Sequence, residues 1–392
     1  MTSASAATLG THTDVALPRA LPAWVYSHPG LARLEFERVL KPSWQIVCHV
    51  NSIARPGDYQ TFDLGPESVI VLRDRDGGIR AFHNVCRHRG ARLLDGDGNC
   101  PATITCPYHG WTYRQDGGLI GMPIRESFPG LDRAEHGLRS VRTDTAFGFI
   151  FVCLAEDAAA LPPPVASVWG KLGEELKPYR CEEMVPLGPI TWDVWNVDWK
   201  IAMDNYLESY HVPIGHPGLY RMFTPDYDDQ ARVPGVARGL SWLRDKRSSK
   251  WSEGLYQSLI ERAAVHLPPD LRRCWRFYSA LPNLGIDVFP DQMDFFQVLP
   301  GGPGKCIIRG ALFGLPGATR ELRSVRFLGN RINASVNNED RWLCERVQRG
   351  LGSSSYQPGP LSGLEGCMLE FHNLLRERIP EFRSATPPAH FA

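Results

Sequence analysis

Apolar residues recur with helical spacing between Leu21 and Trp44, where Leu31, Leu34, Phe36 and Val39 mark one stripe and Pro42 closes the run. Ahead of it, residues 1 to about 20 are small and polar, the pattern of a frayed terminus. From Gly57 to about Leu154 the period shortens. Runs at Tyr59–Leu64, Val69–Arg73, Ile79–Asn84, Thr103–Cys106, Trp111–Tyr113 and Phe147–Leu154 are short and strand-like, and turn clusters such as Asp74–Gly78 and Asp116–Gly118 separate them. This predicts a small antiparallel β domain over residues 46–155, preceded by a helical segment over 1–45 that packs on the second domain. The stretch Ala155–Pro164, ending in three consecutive prolines, reads as the linker. Beyond it, residues 156–392 mix both patterns: a helix around Trp199–His211, strands around Ile286–Val298 and Lys305–Phe313, and a long helix from about Glu321 to Leu351. No internal repeat is visible, and the class is α+β.

Charge narrows the function. The 392 residues hold 43 Lys and Arg against 43 Asp and Glu, so no basic surplus exists to neutralise phosphates or an anionic membrane. No window approaches the roughly 20 consecutive apolar residues of a membrane helix, and the chain's start lacks a basic region with an apolar core. The expectation is a soluble cytoplasmic protein with neither nucleic acid nor membrane as partner. Ten cysteines are too sparse for a disulfide scaffold, and a reducing compartment keeps them as thiols or metal ligands.

The sharpest signal lies in the β domain. Cys86-x-His88 and Cys106-x-x-His109 stand 17 residues apart in two loops, each offering one thiolate and one imidazole. That donor set suits a [2Fe-2S] cluster in which two His replace Cys on one iron, which raises its potential to about −150 to +300 mV. Gly90 and Gly110 sit where close approach or positive φ is needed, and Pro107 stiffens the second loop. A structural zinc site is the rival, but its ligand pairs are usually separated by two to four residues, and a single residue separates Cys86 from His88. Cys100 lies between the pairs as a bystander.

A second constellation follows in WNVDWKIAMDNYLESYHVPIGHPGLYRMF. Ile201, Asp204, Glu208 and His211 share one face if the helix continues, and Pro213 and Gly215 then stop it, so that His216 returns from a loop. Asp340 sits in an apolar stripe of the late helix with Val336, Leu343, Val347 and Leu351, where a carboxylate must be protonated, paired or bound to metal. A salt bridge is the plain alternative. His211, His216 and Asp340 together would make a two-His-one-carboxylate triad, which leaves positions open on Fe(II).

The flanks CRHRGA and CPYHGW, with DNYLESYHVPIGH, resemble the Rieske non-heme iron oxygenases, the terminal (alpha) components of ring-hydroxylating and demethylating systems. The likeness runs from about Trp24 to Phe382 and leans to the branch acting on choline, carnitine and stachydrine. It implies an antiparallel β Rieske domain with a helix-grip-like catalytic domain of antiparallel sheet and long helices. By that resemblance Cys86, His88, Cys106 and His109 hold the [2Fe-2S] cluster, and His211, His216 and Asp340 hold mononuclear Fe(II). Glu208 matches the carboxylate bridging a neighbouring subunit's His109 to His211, although many members carry Asp there. Asn205 matches an Asn near the iron, and Asp198 stands where Asn is usual. Asp204 is read as orienting a ligand His, as a cap or as a solvent group.

The resemblance further implies a homotrimer. Electrons would come from a flavin and iron-sulfur reductase fed by NADH, with or without a ferredoxin, and O2 would hydroxylate or demethylate a small organic substrate. For a quaternary ammonium substrate, Trp192, Trp195, Tyr206 and Tyr210 are the candidate ring faces. For an aromatic acid, Arg221, Arg232 or Arg238 would pair the carboxylate. A pure electron carrier, needing only the cluster, is the alternative from another class.

Overall fold

The computed structural model describes residues 17–225 and 231–391, so most of the expected frayed terminus lies outside the described residues. Leu21–Trp44 is not one helix. Pro29 and Gly30 interrupt the stripe, leaving a 3-10 turn at Ala23–Tyr26, an α turn at Leu31–Glu35 and a wider π turn at Phe36–Leu40. The pieces pack on the larger domain through buried polar contacts. Trp24 Nε1 donates to the Ser384 carbonyl at 2.9 Å, and Glu35 accepts from Trp199 Nε1 at 2.9 Å and from Lys200 Nζ at 2.5 Å. Lys200 is fully buried and also lies 2.7 Å from Asp198, which caps the helix beginning at Trp199. Removing one member of such a buried charge set costs about 3–5 kcal/mol, so the N-terminal segment is tied firmly to the helix that leads into the site.

Three small antiparallel sheets follow. Asp58–Leu64, Glu67–Arg73 and Ile79–His83 pair in sequence with Asp97–Asn99 on the edge; Thr103–Thr105, Thr112–Arg114 and Leu119–Gly121 form a second sheet. In the third, Phe149–Cys153 lies between Gln45–His49 and Arg142–Ala146. The last of these strands is too polar to read from its sequence, and Phe147 and Gly148, both with positive φ, turn the chain so that its partner begins at Phe149.

The larger domain is built on an eight-stranded antiparallel sheet. The expected single strand at Ile286–Val298 is a hairpin, Leu284–Val288 with Met293–Pro300, flanked by Cys274–Ala280 and Cys306–Gly314. Beyond Cys274–Ala280 the sheet continues through Val236–Trp242 to Ala231–Val233. Alternation gives the sheet two faces. One carries Phe295 and Phe313 against Phe149 of the β domain, at ring distances of 5.8 and 5.2 Å. On that face the fully buried Arg309 donates to the carbonyls of Ile46, at 3.1 Å, and Val47, while Gln45 accepts from Asn283 at 3.1 Å and Gln297 at 2.8 Å. The other face, with Phe277, Asp287, Asp294 and Phe296, lines a cavity. The long helix spans Arg320–Leu351, close to expectation, although Val347 in the expected apolar stripe is exposed.

Candidate active site

The two loops of the β domain are built alike. In the first, Gly90 N–H donates to the Cys86 carbonyl at 3.0 Å and Cys86 N–H to the Ala91 carbonyl at 2.8 Å; in the second, Gly110 donates to Cys106 at 3.0 Å and Cys106 to Trp111 at 2.8 Å. Gly90 and Gly110 have φ of 74° and 71°, a conformation that a Cβ would strain, so the repeated backbone turn requires them. Both cysteines are buried and both histidines half-buried, with the His88 and His109 rings 4.7 Å apart. His88 Nδ1 is buried without a hydrogen-bond partner, as an imidazole aimed at a cluster iron would be. The Tyr113 hydroxyl, which sequence reasoning missed, lies 3.3 Å from Cys86 Sγ and accepts the Arg87 N–H at 3.0 Å. Cys100 donates its backbone N–H to the Gly57 carbonyl and accepts from Gln115 Nε2 at its own carbonyl.

The second constellation also converges, but not as one helical face. The helix spans Trp199–Tyr206, and beyond its end the Glu208 carboxylate accepts both His211 N–H, at 3.0 Å, and His211 Nδ1, at 2.5 Å. That capture takes the donor an α-helix would need, and Pro213 forbids resumption in register. His211 instead precedes the short helix Val212–Gly215, and His216 follows it. Gly215 permits the fold-back: a Cβ there would meet Leu343 Cδ1 at 2.8 Å and His211 Cδ2 at 3.3 Å.

The ligand atoms of His211, His216 and Asp340 lie within 4.8 Å of one another, a group able to hold a metal ion. His211 Nε2 and His216 Nε2 are 3.1 Å apart, and Asp340 Oδ1 is 3.6 and 2.9 Å from them. Each imidazole has a carboxylate on its other nitrogen, Glu208 on His211 and Glu339 on His216 at 2.9 Å. Protons held at Nδ1 turn both Nε2 lone pairs toward one point. Asp340 Oδ1 is buried with no hydrogen bond aligned on it, so this oxygen too has an open lone pair there. A two-His-one-carboxylate set of this kind fits non-heme Fe(II).

Without metal the charges settle on protons. Burial pulls His211 down, but Asp340 and Glu208 outweigh it and carry it to about 9; His216 is raised against burial by Asp340 and Glu339. Asp340 is pushed up by burial but held below the usual carboxylate range by the two imidazoles. Asn205 Nδ2 lies 3.1 Å from His211 Nε2, and its Oδ1 accepts from Cys344 Sγ at 3.3 Å. Asp204 turns the other way: it binds Tyr26 at 2.7 Å and His372 at 2.9 Å, so it neither orients a candidate ligand nor faces solvent. Glu339, invisible as one charge in a charged helix, is a further orienting group that the sequence reading missed.

The triad opens into a cavity of about 580 Å³. Trp195 and Tyr206 line it as expected, whereas Trp192 and Tyr210 are 53% and 61% exposed and do not; Trp275, Phe277, Phe289 and Phe296 stand in their place. None of the three arginines offers an unengaged guanidinium to the cavity. Arg221 pairs with Glu253 at 2.8 Å, Arg232 is exposed outside the lining, and Arg238 reaches the lining but pairs with Glu175 at 3.1 Å.

Family models fall on both halves of the chain: a Rieske [2Fe-2S] domain over residues 43–136 and a ring hydroxylating alpha subunit catalytic domain over 181–381. The chain belongs to this family. It is a Rieske-type oxygenase, carrying a [2Fe-2S] domain and a non-heme iron catalytic domain and drawing its electrons from a reductase. It is 30% identical over 380 residues to the glycine betaine monooxygenase oxygenase subunit of Chromohalobacter salexigens, covering 88% of this chain and 82% of that one. To the chloroplastic choline monooxygenase of Arabidopsis thaliana it is 31% identical over 376 residues, with coverages of 91% and 82%. The fold is shared with the quaternary ammonium Rieske monooxygenase CntA, at TM-score 0.77, 23% identity and coverages of 92% and 96%. It is shared too with naphthalene 1,2-dioxygenase from Rhodococcus sp., at TM-score 0.74, 20% identity and coverages of 91% and 93%. Among the described residues no helix is long and apolar enough to cross a membrane.

Proposed function

We propose that this Rieske oxygenase hydroxylates or oxidatively demethylates a quaternary ammonium compound at an iron held by His211, His216 and Asp340, fed by a cluster held by Cys86, His88, Cys106 and His109. The observation that carries this reading is the convergence of two Nε2 atoms and one buried carboxylate oxygen at the edge of an aromatic cavity. An electron carrier would need neither. The lack of an unengaged arginine in the lining argues against an aromatic acid, and relatives named for glycine betaine and choline support the cation.

When bound, the cluster supplies single electrons and the iron activates O2. The chain's own residues do the rest. Glu208 and Glu339 fix the tautomers of the two histidines, Asn205 sits against His211, and the aromatic walls keep water from the reacting group. Large apolar side chains are exposed near both sites, Tyr108 and Ile124 by the cluster loops and Ile214 beside the triad, as subunit docking surfaces require. They support a homotrimer in which Glu208 connects His211 to a neighbouring subunit's cluster. An NADH-fed flavin and iron-sulfur reductase, with or without a ferredoxin, would be the donor. Ten free cysteines fit a reducing cytoplasm.

Anaerobic EPR of the reduced, iron-loaded protein with nitric oxide tests the proposal. A ferrous-nitrosyl signal that quaternary ammonium compounds perturb and aromatic acids do not is expected. A normal Rieske signal without a nitrosyl signal, in protein shown to contain iron, would return the chain to electron transfer alone.

A further inference from the structure

Two carboxylates in the cavity take no part in holding iron. Asp287 and Asp294 stand directly opposite each other on the Leu284–Val288 and Met293–Pro300 hairpin, and both line the cavity into which the triad opens. Like charges placed opposite on a strand pair repel, and neither has a Lys or Arg partner among the described residues. Asp287 accepts the Tyr206 hydroxyl at 2.7 Å, and the Tyr206 ring meets Phe296 edge-on at 4.4 Å. Burial pushes Asp287 up to about 7, opposed by the Tyr206 hydroxyl and reinforced by the charge of Asp340; burial and the charge of Asp287 raise Asp294 well above its ordinary value. This is a cavity-facing carboxyl pair that keeps protons above its ordinary range because the described residues supply it no Lys or Arg counter-cation.

The rest of the lining shows the same bias. Apart from the two triad histidines, Arg238 is the basic side chain among the described lining residues, and Glu175 holds it. The stretches 1–16 and 226–230, outside the described residues, contain no Lys or Arg. A ligand's positive centre is therefore welcomed, and among the described lining residues a ligand's carboxylate finds no unengaged Lys or Arg.

We infer that Asp287 and Asp294 are the subsite for the positive centre of the substrate, and that the remainder of that substrate is uncharged: a choline-like cation and not a betaine. The inference rests on the oxygenase reading of the cavity and deepens it. One ligand cation and one retained proton balance the pair's two charges, while Tyr206 and Phe296 offer ring faces beside it.

The test is calorimetric titration of the anaerobic, iron-loaded holoenzyme with choline, its neutral isostere in which carbon replaces nitrogen, glycine betaine and benzoate. Choline is expected to bind at least about tenfold more tightly than the isostere and than glycine betaine. The double variant Asp287→Asn with Asp294→Asn should lose most of that advantage while its affinity for the isostere stays the same. Equal binding of choline and isostere by the unaltered holoenzyme overturns the subsite, as does tightest binding of glycine betaine or benzoate, or no binding of any cation. None of these depends on the variant folding. A nitrosyl spectrum of the same sample separates the two failures. A normal nitrosyl signal with charge-blind binding removes the subsite alone, whereas a missing signal removes the oxygenase reading and the subsite with it.

Discussion

The two proposed metal centres of this chain are assembled by different means. The cluster loops are two copies of one backbone turn, each closed by the same pair of main-chain hydrogen bonds and a positive-φ glycine. The proposed iron site has no such template. His211 and His216 flank a single helical turn, Asp340 arrives from a helix more than a hundred residues later, and the imidazoles are aimed by the side chains Glu208 and Glu339. A site drawn by backbone tolerates changes in nearby side chains. One drawn by side chains depends on each carboxylate around it.

Predictions that would break this contrast run from the largest effect downward. His211→Ala should abolish oxygenation and iron binding while leaving the Rieske absorption and EPR spectra intact, and Cys106→Ser should do the reverse to the cluster; loss of both centres in either variant would mean that the sites are not separable. Glu208→Gln should retain iron yet slow reoxidation of the reduced cluster by about tenfold or more in a single turnover, the usual scale for an outer-shell partner. An unchanged rate would remove Glu208 from the path. Glu339→Gln should weaken Fe(II) about 10–100-fold in a chelator competition without altering cluster content.

A pH titration sharpens the same point. His211 stands at about 9 in the metal-free site, above its ordinary value, so below that pH iron must displace a proton. Fe(II) affinity should therefore fall as pH falls from 8 to 6, by up to about tenfold per unit for each proton displaced, whereas cluster content should stay level. Smallest of all, Tyr113→Phe should lower the cluster's reduction potential, because a hydroxyl near Cys86 Sγ stabilises the reduced, more anionic form.

The same contrast decides what was legible. Cys86, His88, Cys106 and His109 stand out because within each pair the candidate ligands and the glycine beside them are close in sequence. The long helix was readable because its apolar spacing persists over many turns. The helix before the triad reads too long from sequence, since periodicity continues through Glu208 and His211, whereas Glu208 captures the His211 N–H and Pro213 prevents the helix from resuming. Glu339, Asp287 and Asp294 looked like ordinary charges, as burial is set by partners distant in sequence. Trp192 and Tyr210 failed as cavity walls for the mirror-image reason: aromatic identity does not reveal which face of a strand or turn is covered.

Arg309 has a consequence for anyone who would recombine such enzymes. Its guanidinium joins two carbonyls of the β domain's first strand to the sheet that carries the cavity, beside the amide exchange among Gln45, Asn283 and Gln297. The two halves thus share a seam with its own lock and key. A chimera that grafts this electron-transfer module onto another oxygenase must carry residues 45, 283, 297 and 309 across together, or leave a buried cation facing a surface that cannot receive it.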